Sequence, residues 1–260
     1  MNRSITLIKL GGSVITDKSV PYRAKLSVIK RLAREIKSSG LTSLIIAHGS
    51  GSFGHTSAQK YGGKKGYKDK WGIAKVARDA MEINRIVMDV FIEMGLPAIS
   101  LRPMGMMLTN GGKLKNNLFD VVEETINQGL IPVVYGDVIW DKKWKSTIYS
   151  GETTLNEISL YLLKKGYKIS KIIQAGETAG VYDLKGKTIS LINKVNWNEI
   201  KKYLFENKRT DVTGGMEHKI KNALDIAKNG INTVLINGNI INELSKALLG
   251  KTVKGTTIDK

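Results

Sequence analysis

A chain of 260 residues with 42% hydrophobic content has room for one large α/β domain or two lobes, and no apolar run reaches the ~20 residues of a membrane span. It has no cysteine, which excludes disulfides and thiolate metal sites. Its 41 basic residues outnumber 23 acidic ones for a net charge of +18; the excess is spread over both halves without a zinc-finger or RNA-recognition signature, so it reads as a lysine-rich solvated surface that favours small anions, not as a nucleic-acid groove.

The N-terminus enters an apolar strand after a single arginine, without the apolar stretch and cleavage site of a secretory signal, so a cytoplasmic protein is expected. Ile5–Leu10 reads as a buried strand that exits into Gly11, Gly12 and Ser13. Lys9 lies inside it. A lysine there is costly unless it meets an anion, or unless the strand is an edge and the stem snorkels to water. The segment IKLGGSVITDK lacks the Walker A spacing, which excludes a P-loop. Leu26, Ile29, Leu32, Ala33 and Ile36 recur at helical spacing over Leu26–Lys37, and Ser38, Ser39 and Gly40 end that helix.

Ser43–Ala47 is the next strand, closed by HGSGSFGH (48–55). Glycines suit a sharp bend or a close approach, and a loop of free N–H groups attracts an anion. His48 ends the strand and reads as structural. His55 reads either as a donor to a phosphate or as a non-catalytic histidine. The glycine-laced KYGGKKGYKDKWG (60–72) reads as a mobile loop, and a long amphipathic helix follows over Trp71–Met94. Its expected stripe is Ile73, Ala77, Met81, Asn84, Met88 and Phe91. Pro97–Leu101 and Ile131–Tyr135 are short strands, and 137–151 is a hairpin with a polar turn.

Helices are expected near 153–165, 196–206, 214–229 and 241–249, with strands near 170–174, 233–237 and 253–258. Residues 166–170 mark a hinge between lobes. In DVTGGMEHK (211–219), Thr213 is a good N-cap, so the segment is either plain capping with a surface Lys219 or a helix end that meets phosphate. The strand–helix alternation implies a largely parallel sheet with helices on both faces, and ligands outside the carboxyl ends of its strands.

KLGGSVITDK, HGSGSFGH, YGDV, SGE and DVTGGMEHK, in this order and at these separations, resemble the amino-acid kinase superfamily, most closely its isopentenyl phosphate kinase branch. The resemblance runs from Lys9 to the GTTI near the C-terminus. It implies an open αβα sandwich, with a substrate lobe over 1–168 and a nucleotide lobe over 169–260, usually as a homodimer. The implied reaction moves a phosphoryl group from ATP, with Mg2+, onto isopentenyl phosphate in an archaeal-type mevalonate pathway.

Under this resemblance Lys9 and Lys18 neutralise the transferring group. Gly11, Gly12 and Ser13, with Gly49, Ser50, Gly51 and Gly54 of the 49–54 loop, cradle phosphate through backbone donors. His55 holds the acceptor phosphate. Glu152, beside Gly151, stands where the family has an aspartate that orients the lysines. Lys219 serves the nucleotide phosphates, with Gly214 and Gly215 before it and Glu177 and Gly180 in the other nucleotide loop. Ile83, Ile86 and Val87 are candidates for the prenyl pocket or for plain core. No protein ligand set for a metal is implied, because magnesium is held mostly by phosphate oxygens and water.

The chain departs from the family at Ser50 in HGGG, at Glu152 and Thr153 after SG, and at Glu177 and Ala179 in GETAG, where the family reads TDVDG. The alternatives are a kinase of another phosphate, phosphonate or carboxylate, of fosfomycin or acetylglutamate type, and a basic non-catalytic relative that binds nucleic acid. A phosphate monoester, with a second pKa of ~6, is already a nucleophile at neutral pH. The obstacle is repulsion between two anions, which cations and N–H donors relieve.

Overall fold

The strands at the centre of this protein are short apolar runs buried on both faces, as a parallel sheet covered by helices requires. The computed structural model describes residues 4–63, 65–67, 69–206 and 215–260. The chain begins with β1 (Ser4–Leu10), α1 (Gly12–Ile15), α2 (Leu26–Ser38), β2 (Leu44–His48) and α3 (Gly51–Tyr61). A small hairpin of β3 (Gly62–Gly63) and β4 (Gly66–Tyr67) leads into α4 (Lys70–Glu93). Then come β5 (Ala98–Ser100), α5 (Pro103–Met106), β6 (Met107–Asn110), β7 (Lys113–Asn117), α6 (Asp120–Asn127) and β8 (Ile131–Tyr135). The hairpin β9 (Asp137–Asp141) and β10 (Lys145–Tyr149) precedes α7 (Gly151–Lys164) and β11 (Lys168–Gly176). The chain closes with β12 (Leu191–Ile192), α8 (Trp197–Glu206), α9 (Gly215–Ala227), β13 (Thr233–Asn237), α10 (Glu243–Leu248) and β14 (Gly255–Ile258).

Eight strands form the main sheet in the order β12-β14-β13-β11-β1-β2-β8-β5. All neighbours run parallel except β13 and β14. β1 is central: it pairs with β2 on one side and with β11 on the other. The chain therefore turns first to one side of β1 and later to the other, which makes the carboxyl end of β1 the crevice of the sheet. The register sets Lys9 opposite Ala47 and Gln174, and Leu10 opposite His48 and Ala175, so these strand ends are level.

Alternation along β1 sends Ile8 and Leu10 into one apolar layer with α2, α4 and α10, and Ile5 and Leu7 into the other with α6 and α7. Lys9 follows Leu7 toward the α7 side. On the opposite side Glu35 of α2 accepts from the N–H groups of Asn242 (3.2 Å) and Ser245 (3.1 Å), which ties α10 to α2. Among the described residues no helix is long and apolar enough to cross a membrane.

Three expectations change. The glycine-rich 51–55 segment is helical, not a loop, because Phe53 and Gly54 already donate to Ser50 O. The buried face of α4 contains Val76, Ala77, Ala80, Ile83, Asn84, Val87 and Phe91, while Met81 is 43% exposed. That helix packs on the sheet and on α3 together, so its buried arc is wider than, and rotated from, the expected stripe. The β6–β7 hairpin carries little apolar periodicity, and α6, though amphipathic through Val122 and Ile126, is only 8 residues long; neither was expected. Asp141 secures that hairpin: its carboxylate accepts from Thr109 Oγ1 and the N–H groups of Gly111, Gly112, Lys143 and Trp144. Burial opposes its charge, but those hydrogen bonds win and hold it well below the usual carboxylate range.

His48 is fully buried and stacks on Tyr135, with ring centroids 5.6 Å apart. Its Nδ1–H donates to Gly49 O at 3.1 Å, and Nε2 accepts from Asn84 Nδ2 at 3.1 Å. Asn84 Oδ1 in turn accepts from Ser100 Oγ at 2.6 Å. Both ring nitrogens are satisfied in the neutral form. Burial lowers the His48 pKa to about 4, against a weaker opposing effect of the Gly49 bond. The unfolded chain takes up this proton near pH 6.5 and the folded one only near pH 4. The stability tied to neutral His48 is thus complete above pH 6.5 and is lost as pH falls to 4, by up to ~3 kcal/mol. Denaturant unfolding at pH 7, 5 and 4 should show that fall, and His48→Gln should flatten it over this interval. An unchanged slope in the variant would assign the loss to other groups.

Candidate active site

Bare backbone forms the floor of the site. Gly11 N–H donates to Ala175 O at 2.8 Å as the chain leaves β1. A Cβ on Gly12 would stand 2.6 Å from Gly51 N, and one on Gly49 would stand 2.7 Å from Gly12 N. Gly51 has φ +51, and a Cβ there would collide with Thr16 Oγ1. That hydroxyl joins the two turns, donating to Gly12 O (2.7 Å) and accepting from Ser52 N–H (2.9 Å). A third turn closes in from α7: a Cβ on Gly151 would lie 2.5 Å from His48 O, which also accepts from Gly136 N–H. The ends of β1, β2 and β8 and the start of α7 thus meet with no side chain between them.

The charges stand above this floor. Lys9 is half-buried at the end of β1. Glu152, in the first turn of α7, is 6% exposed, and its Oε1 is buried without a hydrogen-bond partner among the described residues. Burial pushes the Lys9 ammonium below its ordinary pKa; the Glu152 charge opposes that shift, and Lys219 and Lys18 add to it. Lys9 and Lys219 line a small cleft with Gly176, Thr178 and Met216. Lys18 is exposed and meets Glu177 Oε2 at 3.1 Å across the mouth. His55 is exposed on α3, and burial of part of its ring, followed by the Lys18 charge, lowers its pKa.

These residues gather at the crevice of a doubly covered sheet, and the comparisons give that arrangement a family. Residues 4–237 match the amino acid kinase family. The chain belongs to that family. It is 36% identical to the isopentenyl phosphate kinase of Methanocaldococcus jannaschii, over 98% of both chains. It is 31% identical to that of Methanothermobacter thermautotrophicus, over 97% of this chain and 98% of the relative. A crystal structure of isopentenyl phosphate kinase superposes with a TM-score of 0.83 at 28% identity, over 98% of this chain and all of that one. The fold is the α/β sandwich of this family, helices covering both faces of a mostly parallel sheet.

Several expected site residues have a different local explanation. Gly51, Gly54 and His55 belong to α3, which leaves only Gly49 and Ser50 as loop. Ser13 lies in α1, and its carbonyl accepts from Lys25 Nζ at 3.1 Å. Gly180 has φ +113, and a Cβ there would lie 2.8 Å from Thr256 N, so contact with β14 accounts for that glycine. Ile83 and Val87 are fully enclosed in the core layer under α4, and Ile86 packs partly buried against it. Gly215 opens α9, while Thr213 and Gly214 lie outside the described residues.

Sequence reasoning missed Thr16 and the cleft residues Thr178 and Met216. It also missed an apolar cluster of Val76, Ala77 and Val138, with Ala58 and Tyr61, beside the His55 helix. Ala58 stands one helical turn after His55, and that spacing was the available signal. The backbone floor gives a direct test. Gly12→Ala and Gly151→Ala should each cost ~1–3 kcal/mol in denaturant unfolding, the usual range for overpacking. Gly176→Ala, where a Cβ meets nothing within 4 Å, should unfold like the parent. Equal behaviour of all three would mean that the turns separate freely.

Proposed function

We propose that this chain transfers the γ-phosphoryl group of ATP to isopentenyl phosphate, giving isopentenyl diphosphate and ADP. The observation that carries the reading is the charge imbalance at the end of β1. Burial, Lys219 and Lys18 all disfavour the Lys9 ammonium there; among the described residues the buried Glu152 opposes them, while Glu177 pairs with Lys18. Such a site is incomplete without an anion, and a phosphate dianion supplies it. The near full-length likeness to isopentenyl phosphate kinases selects the acceptor.

In this mechanism the acceptor phosphate lies on the N–H groups of Gly12 and Ser50, with His55 as a directed donor; the Gly49 N–H is already spent on Leu10 O. The nucleotide phosphates lie in the cleft of Lys9, Gly176, Thr178 and Lys219. Residues 1–168 thus serve the acceptor and 169–260 the nucleotide. Lys9 stands between the two anions and stabilises charge on the transferring group; Glu152 fixes its direction. Lys18 closes the mouth from the side of His55. The acceptor oxygen attacks phosphorus without a general base, since it is already ionised.

Among the described residues no group of three acidic or imidazole side chains could hold a metal. The site fits magnesium carried on nucleotide phosphates and water, with the unpartnered Glu152 Oε1 as the available protein oxygen. That ion would neutralise phosphate charge during transfer. The prenyl tail extends from His55 along the partly buried Ala58, Tyr61 and Ile73, which pack on the closed core of Val76, Ala77 and Val138, and not into the core at Ile83 and Val87. By likeness to the family, the reading extends to a cytoplasmic homodimer of archaeal type.

ATP consumption against a panel of phosphomonoesters, phosphonates and carboxylates, with a duplex-DNA binding control, tests the assignment. Isopentenyl phosphate should be turned over best; turnover of a carboxylate alone, or DNA binding without turnover, would overturn it. His55 sharpens the test. Its depressed pKa keeps it neutral at pH 7, donating one N–H. His55→Ala should raise KM for isopentenyl phosphate and lower kcat while KM for ATP barely moves. His55→Gln should keep part of the activity, because a hydrogen bond to a charged group is worth ~1.5–3 kcal/mol from either donor. Equal damage to both substrates would make His55 a scaffold residue.

A further inference from the structure

Between α1 and α2 the chain makes a narrow excursion over residues 16–25, and Lys18 rides on it. Bridge pairing of Thr16 with Ala24 closes its base, and Asp17 N–H donates to Arg23 O at 2.9 Å. Within it Tyr22 takes φ +57. Proline precedes it, and a positive φ after proline in a turn is ordinarily left to glycine or asparagine. A bulky residue in that conformation persists only where its surroundings over-determine it.

Here they do. Tyr22 OH donates to Asp79 Oδ2 at 3.2 Å, and its ring stands edge-on to Phe53 with centroids 5.7 Å apart. Asp79 belongs to α4 and is 1% exposed; its other oxygen accepts from Arg78 Nη1 at 3.1 Å. Phe53 belongs to α3, two residues before His55. Tyr22 itself is 45% exposed, so apolar burial does not account for the strained backbone. Packing alone does not account for Asp79 either, because an apolar side chain on α4 would meet the ring without the cost of burying a carboxylate. What the carboxylate adds is direction for the hydroxyl. Burial, then the charge of Asp79 and its hydrogen bond, raise the Tyr22 pKa, with Tyr61 adding and Arg78 opposing, so the phenol remains a donor at neutral pH.

We propose that Tyr22 is a positioning residue: held between Asp79 of α4 and Phe53 of α3, it fixes the 16–25 excursion so that Lys18 stands over the His55 side of the site. The proposal rests on the reading of Lys18 and His55 as parts of a phosphoryl-transfer site. It gives α4 two tasks, since the helix also carries Val76 and Ala77 of the apolar cluster. The helix that walls the acceptor tail also holds the excursion that brings a cation to its phosphate.

The test reads the position of Lys18 through His55 in the unliganded protein. The chain has three histidines, which keeps an NMR titration resolvable. Lys18 is one of the causes that lower the His55 pKa, so moving it away must let that pKa rise. Tyr22→Phe, which removes only the hydroxyl, should raise the His55 pKa in the same direction as Lys18→Ala. It should also lower kcat roughly tenfold or more, the scale on which small misplacements act. Asp79→Asn keeps an oxygen that accepts from Tyr22 and should retain most of the parent behaviour. If Tyr22→Phe alone is unfolded by the buried Asp79 oxygen that loses its donor, the double variant Tyr22→Phe with Asp79→Leu removes both polar groups and should show the same rise. A folded variant lacking the hydroxyl with the parent His55 pKa and kcat would overturn the proposal. A parent without turnover would instead overturn the kinase reading, which the titration does not need.

Discussion

Lys9 ends the central strand with an ammonium group that burial disfavours, and the surrounding structure answers that cost. A buried charge needs an opposite charge and hydrogen bonds close by, or it loses several kcal/mol. Glu152 provides the opposite charge, which requires α7 to begin within reach of the end of β1. It can begin there only because Gly151 lies against His48 O, where a Cβ would be 2.5 Å from that oxygen. One carboxylate is nevertheless too little. Lys219 and Lys18 push the Lys9 ammonium in the same unfavourable direction as burial, and Glu152 keeps one oxygen without a partner. On the proposed function, an entering phosphate closes the balance.

The same constraint explains the backbone. Anions are favoured where N–H groups at the starts of helices are left free; the residues before α1 and α3 make no side-chain cap, and in α3 Thr16 Oγ1 takes only the Ser52 N–H. Gly12, Gly49 and Gly51 let the turns after β1 and β2 touch, which brings those groups to one place. Buried His48 contributes from beneath, since its ring holds Gly49 O and its carbonyl accepts from Gly136 N–H. The cations, by contrast, stand on elements that other contacts hold: Lys18 on an excursion held by Tyr22, and Lys219 on α9.

Much of this was legible in the sequence, for physical reasons. Ile131–Tyr135 and 233–237 are apolar runs too short for helices and appear as β8 and β13 with those limits. Lys9, Glu152 and Lys219 were singled out by motif order, and the structure brings them together. What escaped depends on contacts distant in sequence. The glycines of HGSGSFGH were read as a curl around an anion, whereas Gly49 and Gly51 answer mainly to Gly12, and 51–55 winds into α3. Gly180 answers to Thr256, and the β6–β7 hairpin to Asp141. Ile83 and Val87 have the helical spacing of a pocket wall and of a core alike; only the layer of α2 beside α4 decides between them. Tyr22 carries no local signal, because its partner is 57 residues away.

A double-mutant cycle on kcat over Lys9→Ala and Glu152→Gln measures the Lys9–Glu152 pairing most directly. Lys9→Ala should lower kcat by ~100-fold or more, as loss of a charge that acts on the transition state does. Because Glu152 acts mainly through Lys9, removing its charge in the Lys9→Ala background should cost less than it does in the parent, leaving a coupling of at least ~1 kcal/mol. Losses that simply multiply, or a Lys9→Ala variant with the parent rate, would contradict the claim that the site is organised around this lysine.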